Sequence, residues 1–289
     1  HNNLNTEEIS GLITRQVSEI NIENELKQSM PILSNITDTI STKVKAQYER
    51  YPYPRWVNLQ LPMVAKTIRD IIEESKLKVY DPVIFDCSKP KVLVAGCGTG
   101  QHSIQTAKRF KDCHVLAIDL STSSLAHAKR KSDEFGLRNI KYMQADILDL
   151  PKLSEQFDII ESFGVLHHMN DPIAGWQSLI ECLKPGGLMM ISLYSELARE
   201  HIVKMREEVK GANIAANKDG MRKFRQKVIE SESMHHKKIL ASPDFYSFGG
   251  LKDLIFHEQE HRFTIEQIKN SLEKLNLKFC GYQAQEIIK

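Results

Sequence analysis

Short apolar runs alternate with amphipathic stretches along the middle of the chain. Five runs are apolar along most of their length, and each ends in polar residues or glycine: 92–95, 115–118, 140–143, 157–163 and 188–193. Strands that are apolar on both faces are typical of a parallel sheet that helices cover on both sides. The alternation therefore predicts an α/β fold with a doubly wound, mostly parallel sheet.

Start signals for helices occur between and after these runs. Ser121 is a predicted N-cap, and Asp171 is another, followed by Pro172 at the first helical position. Thr264 and Gln267 have the spacing of a capping box, in which each side chain binds the other residue's backbone N–H. We therefore expect three well-defined helices to begin at these positions.

The segments on either side of the alternating region are predicted to be mainly helical. Before residue 86, apolar residues recur at helical spacing, and Pro52 and Pro54 interrupt the pattern. After Tyr194 the alternation stops, and 277–282 has the apolar pattern of a sixth strand. The predicted units are a helical N-terminal extension and lid at 1–85, an α/β core at 86–195, a helical insertion or cap at 196–262, and the core's final helix and strand at 263–289.

Composition and charge exclude several classes of protein. The chain has 289 residues, 41% of them hydrophobic and 26% charged, which is an ordinary globular composition. Its net charge of +2 gives no general attraction to nucleic acid, so no nucleic-acid partner is expected. Every apolar run is far shorter than the roughly 20 residues of a membrane span, so no membrane partner is expected.

The cysteines and the first residues bear on the compartment. Five scattered cysteines form neither a disulfide framework nor a C-x-x-C pattern, which fits a reducing, cytoplasmic location. The N-terminal segment is polar and does not resemble a secretory signal. The chain begins with His1, so we expect a fragment of a longer protein, with upstream or downstream domains outside it.

The loop after the first predicted strand is rich in glycine. It consists of Gly96, Cys97, Gly98, Thr99 and Gly100. Glycines let a backbone approach a ligand closely, and open α/β sheets bind ligands beyond the carboxyl ends of their strands. Asp119 and Asp146 end the next two predicted strands, where carboxylates can accept hydrogen bonds from a ribose or an adenine amino group. A tight turn beside surface acids is the alternative, but the three features together favour a nucleoside pocket.

This loop differs from two common phosphate-binding patterns. No Gly-Lys-Ser/Thr follows it, so it is not a P-loop. Gln101 takes the place of the third glycine in the dinucleotide pattern G-x-G-x-x-G. The sequence therefore disfavours a nicotinamide-dependent oxidoreductase, which stays as an alternative.

Five segments follow one another at the ends of the predicted strands. They are VLVAGCGTG at 92–100, AIDLS at 117–121, QADILDLP at 144–151, FDIIESFGVLHHMNDP at 157–172 and LKPGGLMMISLYS at 183–195. In this order they resemble the motifs of class I S-adenosylmethionine-dependent methyltransferases. The resemblance implies a Rossmann-like fold, transferase activity and S-adenosyl-L-methionine as cofactor. The cofactor contacts that it implies in the core are the loop at 96–100, Asp119, Leu120, Asp146, Ile147, Phe163 and Gly164.

The chain departs from the family at one position. Val94 stands two residues before the first glycine, where the family often has an acid. Carbonyl groups of the loop and of Ser162 and Phe163 are then the expected partners of the cofactor's amino group. A narrower resemblance, carried by VKAQYERYPYPRW at 44–56 and LYSELARE at 193–200, is to the methyltransferase domain of tetratricopeptide-repeat-linked proteins.

Polar residues after the fourth predicted strand and near residue 260 are the candidate catalytic groups. We expect the base and its orienting partners among His167, His257, Glu258, Glu260 and His261. The alternatives are a loop histidine packed under the cofactor for the first, and a solvated or salt-bridged helix face for the other four. The H-x-x-x-H spacing comes with no evident third ligand, so no metal is expected.

The segment YPYPRW at 51–56 combines a rigid backbone with aromatic rings and a cation. We expect a lid in which Tyr53 faces the sulfonium of the cofactor and Arg55 binds a carboxylate of the cofactor or of the substrate, with Tyr246 on the opposing wall. The alternatives are a linker pinned to the surface of the core and, for Tyr246, core packing.

The sequence therefore predicts an S-adenosylmethionine-dependent methyltransferase. Its acceptor is expected to be a protein side chain or a small-molecule nucleophile. Two alternatives stay open, a catalytically silent S-adenosylmethionine-binding interaction module and an NAD-dependent oxidoreductase.

Overall fold

A five-stranded parallel sheet forms the centre of the computed structural model, which describes residues 6–282. The strands β1 to β5 are Lys91–Ala95, His114–Asp119, Ile140–Gln144, Phe157–Phe163 and Leu183–Ser192. Their order across the sheet is β3-β2-β1-β4-β5. The five predicted apolar runs correspond to these strands, and the predicted parallel sheet is confirmed.

Residues 6–282 contain twelve α-helices. In chain order, α1 to α12 are Thr6–Ile13, Glu19–Gln28, Thr39–Arg50, Ile68–Ser75, Gln101–Arg109, Thr122–Glu134, Pro172–Glu181, Glu200–Gly211, Lys218–Ile229, Met234–Leu240, Phe248–Leu254 and Ile265–Lys274. A π-helical turn at Thr14–Ser18 joins α1 to α2. Short 3₁₀ helices occupy Pro82–Asp86, Ile147–Leu153, Leu166–His168 and Pro243–Tyr246. Helices α5 to α7 alternate with strands, and α8 to α11 belong to the insertion.

Alternate residues of β1 enter two different hydrophobic cores. Val92 and Val94 lie in one core, whereas Leu93 and Ala95 lie in the other. None of the four is more than 1% exposed. Because successive side chains of a strand point to opposite faces, the sheet is buried on both sides.

The three predicted helix starts are confirmed by their cap contacts. The hydroxyl of Ser121 accepts a hydrogen bond from the backbone N–H of Ser124 at 3.1 Å. The carboxylate of Asp171 accepts from two backbone N–H groups of α7. Thr264 and Gln267 form both bonds of the capping box.

The insertion between β5 and α12 folds around a core of its own. Met205, Phe224 and Phe245 are fully buried in it. Tyr194 precedes the insertion and Phe263 follows it. The backbone N–H of Phe263 donates to the carbonyl of Tyr194 at 2.8 Å. The insertion therefore leaves and rejoins the α/β core at one place, beside the carboxyl end of β5.

Residues 277–282, which the sequence predicts as a sixth strand, form no strand in the structure. They follow Asn276, whose φ of 53° turns the chain at the end of α12. The backbone N–H of Lys78 donates to the carbonyl of Cys280 at 2.8 Å. This segment therefore lies against the chain that follows α4. The predicted units at 1–85 and 263–289 include residues outside the described range 6–282.

A carboxylate of α3 holds the N-terminal extension against α6. Glu49 accepts hydrogen bonds from the backbone N–H of Thr122 at 2.6 Å and of Ser123 at 3.3 Å. A carboxylate at this position satisfies N–H groups that have no partner within the helix and interacts favourably with the helix dipole. Burial acts to raise the pKa of Glu49, but the hydrogen bonds from Ser123 and Thr122 hold this pKa below its usual value.

Glu49→Ala should lower the free energy of unfolding by about 1–2 kcal/mol at neutral pH, because α6 loses its capping carboxylate. Urea denaturation measures the loss, with Glu73→Ala, which removes an exposed carboxylate of α4, as the control. Since the pKa of Glu49 is lowered by folding, the difference between wild type and variant should shrink as the pH falls through the folded-state pKa. Equal unfolding midpoints at neutral pH would contradict this role of Glu49.

Candidate active site

A cavity of about 360 Å³ lies at the carboxyl edge of the sheet. The strand order reverses there, between β1 and β4, and ligands of open α/β sheets bind at such a point. The loops at 96–98 and 163–165 line it from the sheet side. Val44 of α3, Tyr53 and Asp253 of α11 line it from the N-terminal extension and the insertion. Three predicted units of the chain therefore enclose one cavity of the size that small ligands occupy.

The glycine loop leaves no room for side chains at two positions. A Cβ on Gly96, whose φ is +78°, would lie 2.2 Å from a methyl group of Val165. A Cβ on Gly98, whose φ is +52°, would lie 3.0 Å from the backbone oxygen of Tyr53. Because both positions lack a Cβ, this loop can pack closely against Val165 in the loop after β4 and against the backbone of Tyr53.

Asp119 and Asp146 face the cavity from the ends of β2 and β3. Asp119 accepts hydrogen bonds from the backbone N–H of Gly98 at 2.8 Å and of Ser121 at 2.9 Å. Burial raises the pKa of Asp119 to about 6 and also raises that of Asp146. Each carboxylate oxygen has a second lone pair, so both residues can accept further hydrogen bonds from a nucleoside.

Most of the predicted cofactor contacts meet at this cavity. Its lining includes Gly96, Cys97, Gly98, Asp119, Leu120, Asp146, Ile147, Phe163 and Gly164. Thr99 and Gly100 belong to the same loop but do not line it. The hydroxyl of Thr99 donates to the backbone oxygen of Pro54, and Gly100 lies against Ala128 of α6. Thr99 therefore connects the glycine loop to the segment that carries Tyr53, and Gly100 packs the loop against α6.

A buried carboxylate on β4 lies beside Val94, the position where the related family often has an acid. Glu161 pairs with Val94 in the strand register and is 1% exposed. Its oxygens accept hydrogen bonds from Thr106 at 2.5 Å and from Arg109, and one lies 2.8 Å from Nε2 of His102. His102 lines the cavity and packs on Phe163 with ring centroids 4.2 Å apart. Glu161 was not among the site residues predicted from the sequence, although a glutamate within the apolar run 157–163 indicates a buried charge that needs partners.

A second chain of polar contacts lies at the side of the cavity formed by α3 and the insertion. The Tyr48 hydroxyl donates to Asp253 at 2.5 Å, and Nε2 of His257 lies 3.2 Å from the same hydroxyl. His168 stacks on His257, with ring centroids 3.5 Å apart. Tyr48, Asp253 and His168 line the cavity, together with Tyr194. No local sequence pattern indicates Asp253, because its partner on α3 is 205 residues away.

The predicted catalytic residues lie behind this wall. His167 is fully buried against Tyr194, with ring centroids 3.6 Å apart, and burial lowers its pKa to about 2. His257 is 3% exposed and reaches the cavity through Tyr48. Glu260 is paired with Arg199 at 2.6 Å.

The other two predicted catalytic residues also have partners outside the cavity. Nε2 of His261 lies 3.0 Å from the side-chain nitrogen of Gln259. Glu258 is exposed and lies 3.3 Å from the ammonium group of Lys252. None of the five predicted catalytic residues is part of the cavity lining in the described chain.

The three predicted lid residues have different surroundings. Tyr53 lines the cavity next to Pro54. Arg55 lies outside it, 3.4 Å from Glu23 of α2. Tyr246 is 57% exposed, and its hydroxyl donates to the backbone oxygen of Leu240 at 2.9 Å.

Two groups of side chains in residues 6–282 have ligand atoms within 4.8 Å of one another. They are His168, Asp253 and His257, and Glu208, His235 and His236. The second group lies on α8 and α10 of the insertion, away from the cavity. In the same part of the chain, no helix is both long enough and apolar enough to cross a bilayer.

Comparison with known sequences relates the chain to methyltransferases. The family model described as "Methyltransferase domain" matches residues 86–240. An uncharacterized protein of Synechococcus sp. is 26% identical over 265 residues, which are 86% of this chain and 61% of that protein. The putative methyltransferase YqeM of Bacillus subtilis is 25% identical over 205 residues, 69% of this chain and 76% of its own length.

Comparison with solved structures supports the same fold. PKMT2 from Rickettsia typhi matches with a TM-score of 0.57 and 18% identity, over 75% of this chain and 44% of that protein. A second structure of PKMT2, in complex with AdoHcy, matches equally well over the same shares of both chains, with 17% identity. The chain thus spans less than two thirds of both the Synechococcus and the Rickettsia relative. Because the family model covers more than half of its residues and its sheet has the expected topology, the chain belongs to the class I S-adenosylmethionine-dependent methyltransferases.

Proposed function

We propose that this chain transfers a methyl group from S-adenosylmethionine to a nucleophilic atom of a protein side chain or a small molecule. The observation that carries the proposal is the single cavity described above. The carboxylates of Asp119 and Asp146 line one side of this cavity, and a separate polar wall around Asp253 lines another. One side therefore suits a nucleoside, and the other leaves a place for an acceptor.

The residues on the sheet side fit the cofactor. Asp119 offers acceptor lone pairs to ribose hydroxyls, and Asp146 with Ile147 offers an acceptor beside an apolar surface to an adenine. The absence of a Cβ at Gly96 and Gly98 leaves space for the methionine portion. When bound, the cofactor supplies an electrophilic methyl group on a sulfonium.

The chain's own contribution is to orient the acceptor and exclude water. Tyr53 and Pro54 cover the glycine loop, and Tyr48 and Asp253 close the other side. Holding two reacting groups in line replaces a bimolecular encounter, an effect worth up to about 7–11 kcal/mol of the barrier. In this proposal His257 and Glu260 act as positioning residues. His257 contacts the lining residue Tyr48, and Glu260 pairs with Arg199, which packs on the ring of the lining residue Tyr194.

Thermal unfolding with S-adenosylhomocysteine and, separately, with NAD tests the cofactor assignment. A ligand at 100 times its dissociation constant adds about 2.7 kcal/mol to the stability of the folded state. We expect the unfolding temperature to rise with S-adenosylhomocysteine alone. A rise with NAD alone would favour the oxidoreductase alternative instead. Binding of S-adenosylhomocysteine without transfer of labelled methyl to any acceptor pool would favour the silent binding module.

Asp119→Ala should weaken binding of S-adenosylhomocysteine by about 1–3 kcal/mol, because hydrogen bonds to a charged acceptor are lost. Isothermal titration calorimetry measures the change. Asp133→Ala is the matched control, since Asp133 is an exposed aspartate of α6 outside the cavity. Unchanged affinity in Asp119→Ala would remove this residue from the cofactor site.

A further inference from the structure

We infer that the methyl acceptor is an amine that enters the site as an ammonium ion and binds the carboxylate of Asp253 and the ring of His168. This inference rests on the proposed methyltransferase function and names the chemical class of its acceptor. It follows from the charges that line the cavity, from the hydrogen-bond directions at its far wall, and from the number of donors that different acceptors offer.

The cavity lining carries an excess of negative charge. Its described lining residues include three carboxylates, those of Asp119, Asp146 and Asp253, and no lysine or arginine. The first two lie at the ends of β2 and β3, where the nucleoside is expected. Asp253 comes from the insertion and is 7% exposed. A carboxylate buried without a cation is costly, so this position favours a ligand that brings a positive charge.

Helix geometry directs Asp253 toward the cavity. Leu251, two residues earlier on α11, is fully buried in the core of the insertion. Successive helical residues are about 100° apart around the axis, so Asp253 lies on nearly the opposite side of the helix. The insertion's core therefore holds α11 with this carboxylate against the site.

The hydrogen bonds around Asp253 are all oriented toward it. Nδ1 of His257 accepts from the backbone N–H of Gln259 at 3.2 Å, which puts the ring proton on Nε2. Nε2–H then donates to the Tyr48 oxygen at 3.2 Å, and the Tyr48 hydroxyl donates to Oδ1 of Asp253 at 2.5 Å. Oδ2 of Asp253 has no hydrogen bond within the described chain and stays an acceptor.

The same directions argue against a metal ion among His168, Asp253 and His257. A histidine nitrogen binds a metal through its lone pair. In this arrangement Nε2 of His257 carries a proton, and its Nδ1 lone pair is used by Gln259. The cluster is therefore a hydrogen-bonded chain that ends in a free carboxylate oxygen.

His168 adds a second free acceptor to the wall. Its Nδ1 lies 2.7 Å from the backbone oxygen of Gln259 and donates to it. Burial lowers the pKa of His168 to about 4, so the ring is neutral at physiological pH. Nε2 is then an unprotonated acceptor on a residue that lines the cavity.

Acceptor atoms on the wall require donor atoms on the ligand. An ammonium group has three N–H donors and a positive charge, so it can bind Asp253 and His168 at once. A hydroxyl has one donor and no charge, and a carboxylate has neither donor nor positive charge and would be repelled by Asp253. The wall is therefore complementary to an amine.

The chemical step balances with the groups present. The ammonium ion gives one proton to Asp253, and the nitrogen lone pair forms a bond to the methyl carbon. The bond between carbon and sulfur breaks, and its electron pair stays on sulfur as a neutral thioether. The product is a methylated ammonium ion, and Asp253 loses its proton to water afterwards. Burial raises the pKa of Asp253 to about 6, within the range in which a carboxylate both takes and releases a proton near neutrality.

A chemically blocked acceptor pool tests the class of the acceptor. A cell extract is divided, and one portion is acetylated with acetic anhydride and then treated with hydroxylamine, which restores hydroxyl groups and leaves amines blocked. Both portions are incubated with the full chain and methyl-labelled S-adenosylmethionine. We expect label in the untreated portion and loss of most of the label in the blocked portion, because an acetylated amine no longer has a nucleophilic lone pair.

The outcomes separate the two proposals. Equal label in both portions would overturn the amine proposal and leave the methyltransferase proposal intact. Label in neither portion, with S-adenosylhomocysteine bound, would contradict both. Label in the precipitated protein would identify protein amines as the source, and label in the soluble fraction would identify free amines.

Asp253→Asn tests the residue itself. The substitution keeps the size of the side chain and an oxygen that accepts from Tyr48, but it removes the negative charge. We expect kcat/KM for the amine acceptor to fall by about a hundredfold, with affinity for S-adenosylhomocysteine unchanged. Glu207→Gln, on an exposed carboxylate of the same insertion, is the control and should keep wild-type activity. Normal kcat/KM in Asp253→Asn, or a matching loss of S-adenosylhomocysteine affinity, would overturn the assignment.

Discussion

The hydrogen bond from the backbone N–H of Gly98 to Asp119 ties the loop after β1 to the end of β2, and the rest of the site depends on it. The same loop also forms hydrogen bonds with the N-terminal extension. Thr99 bonds to the backbone oxygen of Pro54, and Trp56 donates to the carbonyl of Thr99 at 3.2 Å. One short loop therefore sets the position of both Asp119 and the segment that carries Tyr53.

The two sides of the cavity differ in how their charges are balanced. On the sheet side, the buried carboxylate of Glu161 has Arg109, His102 and Thr106 as partners and is satisfied within the protein. On the insertion side, the only hydrogen bond to Asp253 within residues 6–282 comes from the hydroxyl of Tyr48. Because a low dielectric increases both the cost of an unpaired charge and the strength of a matched pair, the second carboxylate is the one that can select a ligand.

The side of the cavity proposed to bind the cofactor could be predicted from the sequence, because its parts follow one another along the chain. A strand, a glycine loop and an acid at the end of the next strand all lie between residues 91 and 119, and the strand order places them at one edge of the sheet. The wall proposed to bind the acceptor could not be predicted, since α3, the loop after β4 and α11 meet only after folding. The prediction of a strand at 277–282 was wrong, because an apolar run does not by itself specify a pairing partner, and Phe279 and Tyr282 are exposed in the structure.

The separate core of the insertion allows the two sides of the cavity to change independently during evolution. Met205 and Phe224 hold the insertion together without the α/β core, and its two ends join that core at one point near Tyr194. Substitutions on α11 can therefore change the acceptor wall while β1, β2 and their loops keep the cofactor geometry. Since function resides in a site carried by a fold, the shared core accounts for the family, and the insertion contributes Asp253 to the proposed acceptor wall.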